Sequence, residues 1–153
     1  MKRLIIILLF ITTSLYAEKV ERLSFYNIQE ILGDDKLTYK ILKGCVSMNS
    51  AVTEIIKEEH PNLAKEFYKT ANFLYPFGIL TLSKVKNIDR EVAEKEFLIS
   101  VDDLTNDYMD FMRKNGVANQ SFIEGTFLGD DLTFCNEIRS AIEITIKESS
   151  DKN

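Results

Sequence analysis

Three aspartates, Asp103, Asp107 and Asp110, recur at intervals of four and three, the spacing that stacks side chains on one face of a helix. Carboxylates in such a row can act as acid and base when their surroundings differ, can hold a calcium ion loosely, or can meet a basic partner. Glu96, a turn or two earlier, could join them. A solvated helix face has the same pattern, and the triplet lies off the apolar row that runs from Ala93 to Phe111. A solvated outer face is therefore the expected reading, with the three acids kept as candidates for a partner surface.

Ser83-Lys84-Val85-Lys86 has the Ser-x-x-Lys form in which a lysine activates a serine one turn away. Its companions are missing. No Lys-Thr-Gly strand is present, Lys69-Thr70-Ala71 falls within a helical pattern, and the chain lacks an α/β body to orient such a site. The single histidine, His60, sits in Glu58-Glu59-His60-Pro61 at a helix boundary. Without a second histidine there is no His-Glu-x-x-His zinc pattern and no histidine-based nucleophile couple. The sequence thus predicts no enzyme, no metal and no cofactor.

Two cysteines, Cys45 and Cys135, lie far apart on two separate apolar rows. A redox pair is usually Cys-x-x-Cys at a helix start, so these two are expected to form a structural bridge. Closing a loop of about 90 residues contributes about 4.6 kcal/mol in the chain-entropy treatment, a large share of a domain's net stability.

The stretch Phe73-Leu74-Tyr75-Pro76-Phe77-Gly78-Ile79-Leu80-Thr81-Leu82 is more apolar and aromatic than a helical connection needs, yet too short and broken to span a bilayer. Such a stretch is ordinarily core. Its surplus aromatics, Tyr75 and Phe77, are the candidates for recognition of a partner.

An export signal sets the compartment. Met1-Lys2-Arg3 is basic, Leu4 to Ile11 is an unbroken apolar run, and Thr12-Thr13-Ser14 leads to Leu15-Tyr16-Ala17. The run falls well short of the roughly 20 apolar residues of a spanning helix, so cleavage between Ala17 and Glu18 is expected over a permanent tether. Leu15 departs from the small residue a peptidase prefers there, and no cysteine near the cut suggests a lipid anchor. Contact with a membrane is expected only through this segment before cleavage. Removing Lys2 and Arg3 leaves 17 of the 19 basic residues against 24 acidic ones, so the formal charge moves from −5 to −7. That balance repels nucleic acid and anionic membrane surfaces.

Periodicity supplies the elements that would position these residues. A short helix is expected over Ser24 to Leu32, with Phe25, Ile28, Ile31 and Leu32 on one face and Gly33 past its end. Asp34 and Asp35 are cap candidates for a second helix, whose row is Leu37, Ile41, Cys45, Met48, Val52 and Ile55 and whose end is near His60-Pro61. A third begins at Pro61 and runs to about Tyr75, burying Leu63, Phe67, Ala71 and Leu74, before Pro76 and Gly78 interrupt it. Phe77 to Lys86 is then a further short helix or an extended turn.

From Asp89 the row Ala93, Phe97, Val101, Leu104, Tyr108 and Phe111 predicts a long helix ending at Asn115-Gly116. Asn119 to Leu128 suggests a brief helix and Gly129-Asp130-Asp131 a break and cap. Phe134, Ile138, Ile142 and Thr145 mark a final helix to about Lys147, and residues 148–153 read as a frayed, disordered tail.

No strand pattern appears, so the expected fold is an all-α bundle of five to six helices over residues 18–147, stapled by one long-range disulfide. The expected role is a non-catalytic binding protein of the periplasm, or a secreted one, acting on another envelope protein. The alternatives are an acid- or stress-responsive chaperone and a carrier of a small apolar ligand, which would need a cavity between helices.

Overall fold

A computed structural model describes residues 20–151. The expected signal segment, with the expected cleavage between Ala17 and Glu18, lies outside the described residues. Five helices make up the body: α1 (Ile28–Gly33), α2 (Asp35–Ile56), α3 (Pro61–Lys86), α4 (Arg90–Asn119) and α5 (Leu128–Ser150). No strand occurs among the described residues.

Helix α2 is the axis against which all the other helices pack. Its row of Ile41, Cys45, Met48 and Val52 is buried as its spacing predicts, and Leu42, Val46 and Ala51 widen that row into a band. A band facing several neighbours is what a central helix must carry. Two polar residues inside it are satisfied locally: the Ser47 hydroxyl donates to the Val101 carbonyl at 3.2 Å, and the Asn49 amide donates to the Cys45 carbonyl at 2.8 Å.

The helix starts follow side-chain capping. Asn27, Asp34 and Asp89 each accept backbone N–H groups from the first turn of α1, α2 and α4. Pro61 occupies the first turn of α3, where its missing N–H costs nothing. Asn87 and Gln120, with φ of 53° and 56°, end α3 and α4 in the left-handed region.

Several boundaries differ from the sequence expectation. Residues 24–27 are a turn, because the Ser24 N–H is taken by the Asp131 carboxylate, and α1 therefore begins only at Ile28. Phe25 and Leu32 are consequently exposed. The buried row of α3 passes through Ala64 rather than Leu63, which faces solvent. That helix also continues through Pro76 and Gly78 as one rod, with Phe77 to Lys86 as its second half. Pro76 forfeits one helical hydrogen bond, but Leu74, Ile79 and Leu82 on either side are buried in the core and hold the rod together.

Gly78 has a packing role there. A methyl group in its place would lie 2.2 Å from the Phe97 ring. Phe97 of α4 is fully buried, with the rings of Tyr39 and Tyr75 meeting it edge-on at centroid distances of 6.1 and 5.2 Å. Gly116 is likewise no stop: α4 runs on to Asn119, and the Phe122 ring sits where a Cβ on Gly116 would go.

Residues 120–127 form a loop instead of the expected brief helix. The Ser121 hydroxyl accepts the Ile123 and Glu124 N–H groups, and Gly125 adopts a φ of 77°, both of which commit the chain to turns. Asn115 ties the loop down by donating to the Ser121 and Glu124 carbonyls. Gly129, Asp130 and Asp131 belong to the first turn of α5, where the acids suit the helix dipole. The same helix extends through Ser150, so Glu148 to Ser150 continue it rather than open a tail.

The bridge between Cys45 and Cys135 is present, joining α2 to α5 with a Cα separation of 5.5 Å. Both cysteines are fully buried.

Two outcomes test this packing. Reducing the bridge under denaturing titration should lower the unfolding free energy by about 4–5 kcal/mol, given its 90-residue separation; an unchanged urea midpoint would contradict its role as a clamp. Gly78→Ala should destabilise by about 1–3 kcal/mol despite the roughly 1 kcal/mol that alanine gains in helix propensity. A urea midpoint equal to or above that of the parent would show that Phe97 has room to move.

Candidate functional site

The residues that chemistry would need do not converge. Asp103 and Asp110 are exposed and Asp107 half-buried on α4, with Asp110 3.7 Å from the Arg113 guanidinium. The Ser83 hydroxyl donates to the Ile88 carbonyl at 2.6 Å, while the Lys86 ammonium is bound to the Glu96 carboxylate. That hydrogen bond raises the Lys86 pKa, the opposite of what a serine-activating base needs. His60 is exposed at the start of α3 and makes no side-chain cap. Among the described residues, no group of three His, Cys, Asp or Glu side chains could hold a metal ion.

Tyr75 and Phe77 take different directions, as residues two apart on a helix must. Tyr75 turns toward Phe97 in the core, and burial, followed by the nearby charges of Glu94 and Asp102, raises its hydroxyl pKa. Phe77 stacks at a tilt on Phe73, with centroids 5.5 Å apart, and its other side faces an apolar groove of about 290 Å³. Helix α4, which carries the three aspartates, contributes nothing to this groove.

The groove follows from helix lengths. At 1.5 Å per residue, α5 is about 35 Å long and the six-residue α1 only about 9 Å, so α1, across the groove from α5, cannot cover its length. Ile28, Ile31 and Leu32 of α1 form one wall, and Thr38, Ile41 and Leu42 of α2 the base beside Phe77. Ile138, Ala141, Ile142, Thr145 and Ile146 of α5 form the other wall. No charged side chain lines it. Leu32 and Ile146 stand at its mouth, 76% and 43% exposed. Ile138 and Ile142 belonged to the expected row of the last helix. Ile146, one turn further, was the sequence signal that this row is longer than the core requires.

The N-terminal half of α5 is held firmly. Asp131, fully buried, accepts the Leu23 N–H at 2.9 Å and the Ser24 N–H at 2.8 Å, and the adjacent Asp130 pairs with Arg22 at 2.6 Å. Nothing in the local sequence distinguishes Asp131 from a surface helix cap; its partners lie 107 and 108 residues away. Tyr108 is buried close by, and burial, then the charges of Asp131 and Glu21, push its hydroxyl pKa well up, so it stays neutral. The Arg139 guanidinium donates to the Thr70 hydroxyl at 3.1 Å and lies over the Phe73 ring.

No family model, no curated protein and no solved structure matches the chain.

Asp131→Ala should cost about 3 kcal/mol, since it leaves two backbone donors without their carboxylate. It should also speed amide exchange at Leu23 and Ser24 ahead of the rest of the chain. Unchanged exchange at both amides would mean that the carboxylate is not what secures this segment.

Proposed function

We propose that the chain is an exported, non-catalytic binding protein of the periplasm or the secreted space, which acts on another envelope protein through the groove between α1 and α5. The observation that carries this reading is the groove itself: an open, aliphatic cleft with Leu32 and Ile146 held at its mouth in water. Exposing aliphatic side chains around a cleft is unfavourable unless something covers them. The buried bridge supports an oxidising compartment, and the basic, apolar, small-residue order of the first 17 residues supports export. No helix among the described residues is long and apolar enough to cross a membrane.

Phe77 lines the groove and belongs to this proposed surface. Tyr75 and the row Asp103, Asp107 and Asp110 lie apart from the groove, so any partner contact they make would be a second one. A carrier of a small apolar ligand is the alternative that the same groove favours, although about 290 Å³ is at the lower edge of ligand pockets.

An environment-sensitive apolar dye should bind the oxidised mature protein saturably and at one site. Leu32→Asp and Ile146→Asp should each weaken it at least tenfold, with helix content unchanged by circular dichroism. Both residues are substantially exposed, so neither substitution threatens folding. Absence of saturable binding, or binding indifferent to both changes, would refute the groove as the binding element.

A further inference from the structure

Resting on the groove as binding element, we infer its occupant: a cationic amphipathic helix of a partner protein, two to three turns long, whose aliphatic row enters the groove while its lysines and arginines lie along the rim.

Length and chemistry of the lining set the shape of the occupant. Ile138, Ile142 and Ile146 are spaced four apart along about 12 Å of α5. A facing helix presents side chains at i, i+4 and i+7 over the same distance. The lining offers no charged group and no buried side-chain polar atom lacking a partner. Its two hydroxyls, Thr38 and Thr145, already donate to backbone carbonyls, so what enters is apolar and what orients it lies at the rim.

The rim is acidic. At 100° per residue, Glu137 and Glu148 fall immediately beside Ala141, at the edge of the α5 lining row, and both are exposed. At the α2 end, Asp34 and Asp35 stand one turn before Thr38 on the lining face. Asp34 is engaged in capping its own helix and Asp35 is neutralised by Lys84 at 2.8 Å, so the acidity of the border rests on Glu137 and Glu148 of α5. The basic residues of these two stretches, Lys36 and Lys147, fall on the faces turned away from the groove. The opposite edge of the α5 row carries Arg139 neutralised by Glu143 at 2.8 Å. A groove with an apolar floor and an acidic border, in a chain of net charge −5, attracts cations flanking aliphatic anchors. It repels fatty-acid carboxylates and anionic lipid surfaces.

The test uses the mature, oxidised protein and two labelled synthetic helices that share one Leu/Ile row and differ only in a Lys or a Glu polar face. At low ionic strength the Lys helix should bind at least tenfold tighter than the Glu helix, and the gap should shrink in high salt. Glu137→Lys combined with Glu148→Lys should close the gap by about tenfold and leave dye binding unchanged. Leu32→Asp should weaken both helices. Equal affinity for the two helices with normal dye binding overturns the inference and leaves the groove standing. So does decanoate displacing the dye where neither helix does. Tight binding of the Lys helix that Leu32→Asp leaves intact places it elsewhere and also overturns the inference. Failure of the dye itself removes the groove and this inference together.

Discussion

One covalent contact, the buried bridge between Cys45 and Cys135, fixes where α5 sits, and the surface features of the molecule follow from that placement. Helices α2, α3 and α4 pack on one another along much of their lengths, whereas α5 touches only α2 and α3 appreciably. A helix with so narrow a contact would be weakly held by burial alone. The bridge, the Asp131 carboxylate on the Leu23 and Ser24 amides, and the Arg22–Asp130 pair all act within the first two turns of α5. The end of α5 that carries Ile142 and Ile146 is therefore positioned by rigidity from its other end. That is why an apolar wall can stand partly uncovered in water.

The helical rows were legible in the sequence because each is a local pattern of spacing. Ile41, Cys45, Met48 and Val52, or Ala93, Phe97, Val101 and Tyr108, announce a buried face whatever packs against it. Terminators were less legible, because glycine and proline have more than one use. Gly78 and Gly116 look like stops but are recesses into which Phe97 and Phe122 fit. Whether a glycine ends a helix or admits a ring depends on a residue from another element, and local spacing carries no record of it. Residues 119–128 failed for a different reason: Ser121 and Gly125 favour turns strongly enough to outweigh a weak apolar spacing.

The candidate site divides in the same way. Pairing of the cysteines could be inferred by counting them and assigning a compartment. Tyr75 and Phe77 were singled out as an aromatic surplus, yet composition could not say that one turns inward to Phe97 and the other toward α5. The groove is a property of two helix lengths and of the α1–α5 juxtaposition, separated by about a hundred residues of chain. Asp131 shows the limit most plainly, because its sequence neighbours describe a surface cap while its partners make it a buried anchor.

Export of the chain is proposed, and the bridge between Cys45 and Cys135 closes its helical body. Non-reducing peptide mapping of the protein recovered from the cell envelope of an expressing strain tests this most directly. Export predicts a chain beginning at Glu18, and the bridge predicts a single cross-linked peptide containing Cys45 and Cys135. A chain that retains Met1 to Ala17 and yields two separately alkylated cysteines would contradict both.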